Sequence, residues 1–141
     1  PSIPGHVVNK QLANNSLNIM AGCFLACTPG VNIKAKFGGL KALFSGEGAF
    51  LLEASGSGDL FFNSFGGIIK KEINGEFIVD TGHVVAFTPS LDYSITGMGS
   101  FKSTMLSGEG LVMKFRGNGT LYLQTRNVSS IASWLTPRLL G

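Results

Sequence analysis

The chain has 141 residues, enough for one domain around a shared core. Apolar residues make up 44% of it and charged residues 13%, against about 25% charged in a typical globular chain, so apolar surface has to be covered somewhere. The net charge of +3 is mild and its lysines and arginines are scattered, which argues against the clustered basic face of a nucleic-acid binder and for an ordinary solvated surface.

Pro1 opens the chain without an initiator Met, a secretory signal or a transit-like stretch. The longest apolar run, Ile19 to Cys27, falls far short of the roughly 18 residues of a spanning helix. It contains both cysteines. If the run is a strand, Cys23 and Cys27 stand roughly 13 Å apart along one face, too far for a disulfide. With His6 and His83 distant in sequence, no four-ligand metal set forms, and two buried, reduced thiols are expected, as in an intracellular protein. Asn14, Asn118 and Asn127 lie in N-x-S/T sequons, which without a secretory signal read as chance matches.

Period-two alternation follows. "DLFFNS" sets Leu60 and Phe62 against Phe61 and Asn63. "LVMKFR" sets Leu111, Met113 and Phe115 against Val112, Lys114 and Arg116. "TLYLQTR" sets Leu121 and Leu123 against Tyr122, Gln124 and Arg126. Between such runs, "SGSGD" (Ser55 to Asp59), "INGEF" (Ile73 to Phe77) and "RGNGT" (Arg116 to Thr120) predict tight hairpin turns. Many short strands with Gly turns imply a sandwich, roll or barrel. At the end, Ser129 or Ser130 can cap a helix over about 129–136, with Ile131, Trp134 and Leu135 on one face and Pro137 as its stop.

Much of this is written twice. Leu17–Ile33 aligns with Phe77–Tyr93: Gly22 with Gly82, Ala26 with Ala86, Thr28 with Thr88 and Pro29 with Pro89. Gly38–Phe62 aligns with Gly99–Leu123, each holding "SGEG" before an apolar run. The reading is one all-β domain over 1–141, with internal repeats at 14–66 and 74–127 of about 60 residues each packed around a common core.

The candidate chemistry is thin. Glu47 and Glu109 are the central residues of the two SGEG copies, where a carboxylate at a turn bonds nearby backbone more readily than it performs acid–base work. Asp80 opens "DTG", but its repeat partner is Met20, so no second acidic loop exists to share a proton. His83 has no Ser or Cys partner at a nucleophile elbow. No catalytic, cofactor-binding or metal-ligating residue is assigned, and no enzymatic activity is expected.

The runs "SGEG", "DTGHVVAF" and "SGEGLVMKFRGNGTLYLQTRN" resemble a family of uncharacterised proteins that includes the fungal altered-inheritance-of-mitochondria protein twenty-four and many bacterial relatives. The resemblance covers about Val7 to Trp134, and the "GEG-apolar" loops and "LQTRN" (Leu123 to Asn127) are its most specific features. It implies a double-stranded β-helix or jelly-roll-like fold similar to the tryptophan RNA-binding attenuation protein, and a homo-oligomer such as a trimer or ring. It also implies a missing N-terminal segment of the same protein, with a cytoplasmic location in bacteria and a mitochondrial one in eukaryotes. Fungal members are tied to inner-membrane organisation, which suggests peripheral membrane association here. The expected function is therefore a non-enzymatic structural or assembly protein. The alternative is a module binding a small ligand or nucleic acid through Lys34, Lys36, Lys41, Lys102, Lys114 and Arg116.

Overall fold

The alternating runs form eight strands in the computed structural model, which describes residues 5–36, 51–97 and 111–125. In chain order these are β1 (Gly5–Met20), β2 (Phe24–Cys27), β3 (Val31–Lys36), β4 (Leu51–Phe65), β5 (Ile68–Asp80), β6 (Val84–Phe87), β7 (Leu91–Gly97) and β8 (Leu111–Gln124). Short 3-10 turns at Ala21–Cys23 and Thr81–His83 lead from β1 into β2 and from β5 into β6. The expected all-β class holds. The strands make one eight-stranded antiparallel sheet in the order β2-β4-β1-β6-β8-β5, with β3 also on β4 and β7 also on β8. Both SGEG copies, Lys41, Lys102 and the expected helix at 129–136 lie outside the described residues.

Two long strands organise this sheet. β4 pairs with β1, β2 and β3; β8 pairs with β5, β6 and β7. β2 and β3 follow one another in the same direction along one side of β4, and a tight turn at Thr28–Gly30 separates them. The same happens at Thr88–Ser90 between β6 and β7. In the first turn the Val31 amide donates to the Thr28 carbonyl, and in the second the Leu91 amide donates to that of Thr88. Each threonine also grips the strand beneath it. The Thr28 hydroxyl accepts from the Asp59 amide at 2.9 Å, and the Thr88 hydroxyl from the Thr120 amide at 3.0 Å.

Those grips explain the glycines, and they overturn the hairpins expected from the sequence. "SGSGD" and "RGNGT" are interior to β4 and β8, and Asn74-Gly75 is interior to β5, paired with Asn118-Gly117. No chain reversal occurs at any of the three. A Cβ on Gly58 would collide with the Thr28 hydroxyl, and one on Gly119 with the hydroxyls of Thr88 and Ser90. The G-x-G spacing thus marks where a turn lies against a strand, as close backbone approach requires. Gly117, with φ of 126°, adds a backbone conformation that L-residues rarely adopt.

Two cores result. One joins Leu12, Leu17, Ile19, Val31, Ala54, Leu60 and Phe62 with Val85, Ala86 and Tyr122. The other gathers Leu51, Ile73, Val84, Phe87, Leu91, Met113, Phe115, Leu121 and Leu123. Phe87 meets Phe115 edge-on at 4.9 Å between ring centres and Tyr93 at 5.3 Å. Alternation survives over Lys114 to Met113 and Phe115, where polar residues face out and apolar residues face in. It fails at Leu121-Tyr122-Leu123, all three buried, because β8 there has a core on each face: Leu121 and Leu123 enter the second, while Tyr122 enters the first and meets Phe62 edge-on.

Gly58→Ala and Gly119→Ala are expected to destabilise the fold by the overpacking cost of about 1–3 kcal/mol each, read as lower melting temperatures. Gly22→Ala, where an added Cβ meets nothing within 4 Å, should leave the melt unchanged.

Candidate functional site

The residues that might have carried chemistry are held by local hydrogen bonds. Asp80 accepts from the Gly82 amide at 2.7 Å and caps the 3-10 turn at Thr81–His83. The His83 ring nitrogen Nδ1 lies 2.8 Å from the Gln124 carbonyl. "DTGH" is therefore the entry into β6. Glu47 and Glu109 lie outside the described residues.

Gln124, not singled out by sequence reasoning as a functional residue, ties the two ends of the molecule together. Its Oε1 accepts from the Phe65 amide at the end of β4, and its Nε2 donates to the Gly82 carbonyl, both at 2.7 Å. Thr125 beside it exchanges bonds with Gly67: the Gly67 amide donates to the Thr125 hydroxyl at 2.9 Å, and the Thr125 amide to the Gly67 carbonyl at 3.0 Å. Across the same connection, His6 Nδ1 stands 2.9 Å from the Gly66 carbonyl, which also accepts from the Ser64 hydroxyl. The Gln-Thr of "LQTRN" thus staples the link between β4 and β5. The family motif was the one signal that could have pointed to it.

Both thiols are free. Cys23 closes the first 3-10 turn and Cys27 ends β2, so no single strand runs through both, and the thiols expected to be buried are only half-buried. Cys27 Sγ lies 3.7 Å from the Val31 carbonyl. Burial pushes the Cys23 thiol up to about 11 from an ordinary 9.0, the opposite of what a nucleophilic cysteine needs. Burial also raises Tyr122, with a smaller contribution from the Glu72 carboxylate.

Of the expected basic set, Lys36, Lys114 and Arg116 are ion-paired, and Lys34 lies on β3 opposite Glu53. Glu76 takes Arg116 at 2.9 Å and Lys114 at 3.3 Å, which together hold its carboxyl below the usual range. Lys36 reaches Glu53 at 3.1 Å and the Asn18 amide oxygen at 3.5 Å. Asp92, Tyr93, Ser94, Lys114 and Arg116 line an open cleft of about 230 Å³. Among the described residues, no group of three or more His, Cys, Asp or Glu side chains could hold a metal ion, and no helix is long and apolar enough to cross a membrane.

Large apolar side chains are more conspicuous. Val7, Leu25, Ile33, Ile69 and Ile78 are exposed, on β1, β2, β3 and both ends of β5. β5 pairs with β8 alone, so among the described residues its other side carries no strand over 13 residues, long beside the usual strand of about 5–6. These surfaces define a β scaffold that carries large exposed apolar side chains on several of its strands.

The chain belongs to the Mitochondrial biogenesis AIM24 family, whose model matches residues 1–126. It is 36% identical over 138 residues to an uncharacterized protein of Streptococcus pyogenes serotype M6, spanning 96% of this chain and 56% of that protein. A Streptococcus pyogenes protein solved by X-ray crystallography superposes with a TM-score of 0.84 at 32% identity, covering 98% of this chain and 62% of that one. The chain therefore spans little more than half the length of the curated relative it matches.

Gln124→Leu leaves the Phe65 amide and the Gly82 carbonyl without their partner and is expected to cost about 1–3 kcal/mol by chemical denaturation. Since the half-buried Cys23 thiolate is disfavoured only in the folded protein, the unfolded chain loses that proton first. Stability should then fall as pH rises from 9.0 towards about 11, and melting curves of Cys23→Ala should show a flatter decline.

Proposed function

We propose that this protein is a non-enzymatic structural or assembly protein, built from two repeats of about 60 residues in a jelly-roll-like β fold and forming a homo-oligomer through its strand faces and edges. The observation that carries this reading is the set of large apolar side chains exposed along strand edges: Val7, Leu25, Ile33, Ile69 and Ile78. Such residues on paired, rigid backbone are ready to bury against a partner with little ordering cost. The matching pairings of β1–β4 and β5–β8 support the duplicated unit. The family's name favours a part in mitochondrial biogenesis, and peripheral membrane association is proposed with it.

The cleft of Asp92, Tyr93, Ser94, Lys114 and Arg116 favours a second reading, a small-ligand or nucleic-acid module. Its volume of about 230 Å³ lies below the roughly 300–1,000 Å³ of ordinary ligand sites. Glu76 already neutralises part of its charge. Binding to RNA or DNA that weakened steeply with salt would favour this alternative.

Light scattering on a sizing column separates the readings. The assembly reading expects a defined mass that is a multiple of 14.8 kDa and holds on dilution to micromolar concentration. A clean monomer there would sink it.

A further inference from the structure

β2 and β6 hold corresponding places beside β4 and β8, yet their surroundings are opposite. The pairings Ala26 with Phe61 and Ala86 with Tyr122 put the two short strands in the same register. On its other side β6 pairs with the end of β1, Phe87 with Asn18 and Ala86 with Ile19, and all four of its residues are buried. β2 leaves Leu25 and Ala26 exposed. Leu25 is 41% exposed where Val85 is 0%.

The strand that β6 covers has a counterpart too. Gly56 lies opposite Val31 and Gly117 opposite Leu91, the first residues of β3 and β7. Counting from these positions, Leu17, Asn18 and Ile19 on β1 correspond to Phe77, Ile78 and Val79 on β5. The β1 trio is sealed, none of the three being more than 3% exposed. On β5, Phe77 and Val79 are only half-buried, and Ile78 is 57% exposed. The first core receives Val85, Ala86 and Tyr122 from the second half of the chain. Among the described residues, the second core receives no such trio, and the corresponding side chains Leu25, Ala26 and Phe61 stand at the opposite end of the sheet order.

We propose that β2 and the end of β5 are the two open halves of a second β1–β6-type junction, closed between copies of this chain. β2 of one copy lies along β5 of the next in the register that β6 uses on β1, which sets Cys27 against Ile78 and Ala26 against Val79. Leu25, Ala26 and Phe61 then cover Phe77 and Val79, as Val85, Ala86 and Tyr122 cover Leu17 and Ile19. The occupant is a second copy because the molecule makes this contact once within itself, with the same backbone pairing and apolar character. The two halves differ, so the contact is head-to-tail, giving a ring when the rotation closes and a filament when it does not. The inference rests on the duplicated unit and the assembly reading above, and adds the surface.

Leu25→Glu and Ile78→Glu each place a charge in one half of the junction at an exposed position, so the folded monomer should persist, as judged by circular dichroism and melting. Light scattering should give 14.8 kDa for each variant alone. An equal mixture should form a species of twice that mass, since each variant carries the half that the other lacks. An assembled wild type whose mass neither substitution changes overturns the junction but leaves the assembly reading standing. A monomeric wild type overturns both. A mixture that stays monomeric overturns the head-to-tail geometry. If Leu25→Glu instead lowers the melting temperature as a core substitution does, the face is already covered within its own chain and the proposal fails.

Discussion

A threonine side chain laid across a long strand is the interaction on which the rest of this fold depends. Thr28 and Thr88 each use the hydroxyl as acceptor and the main-chain amide as donor toward the strand beneath, at Asp59 and Thr120. The pair of bonds pins the turn that separates β2 from β3, and β6 from β7, so that two short strands share one side of a single long one. That arrangement requires glycine at Gly58 and Gly119, because any side chain there would occupy the space of the hydroxyl. Without the crossing, β4 and β8 would each have one neighbour fewer, and Val31 and Leu91 would leave the cores that they close.

The two cores are coupled at few points, and those points are polar as well as apolar. β6 brings Val85 and Ala86 against Leu17 and Ile19, which joins the halves through apolar burial. Gln124 joins them through two short hydrogen bonds, to Phe65 at the end of β4 and to Gly82 ahead of β6. Thr125 and His6 hold Gly66 and Gly67 between them. Buried amides and carbonyls at a connection cannot be left unpaired, so a side chain with both a donor and an acceptor is the economical solution. This gives a physical reason for Gln-Thr in "LQTRN" that calls for no ligand. It also places Asp80 and His83 in the same supporting framework.

Electrostatics adds little to this framework. Glu76 is exposed, and its ion pairs with Arg116 and Lys114 sit on the solvent face, where such pairs are worth little. What they do is offset part of the positive charge that a nucleic acid would otherwise meet. The cohesive term is apolar burial, and its distribution is uneven: the strands of the first core are sealed where β6 lies on β1, while their counterparts on β2 and β5 keep Leu25 and Ile78 in the open. A chain with so few charges reaches this state by concentrating exposed apolar side chains at strand edges, where sheet pairing can cover them.

The sequence by itself determined the all-β class, since period-two alternation around Leu60, Phe62, Met113 and Phe115 suits only a half-buried strand. It paired Thr28-Pro29 with Thr88-Pro89 as equivalent positions, and it carried the family through its motifs. It misplaced the glycines. "SGSGD", "RGNGT" and "INGEF" carry the local signature of hairpins, and glycine permits a turn and a close approach equally well. Only the tertiary structure decided between them, because the deciding contacts, such as the Thr88 hydroxyl against Gly119, join residues far apart in sequence. The same holds for Tyr122, which alternation sets opposite Leu121 and Leu123 and which the first core buries. It holds for Gln124 too, whose partners Phe65 and Gly82 are 59 and 42 residues away, as it holds for the partners of Tyr122 in the first core. Local pattern fixes which way a side chain points from its strand, and only the folded chain fixes what it meets there.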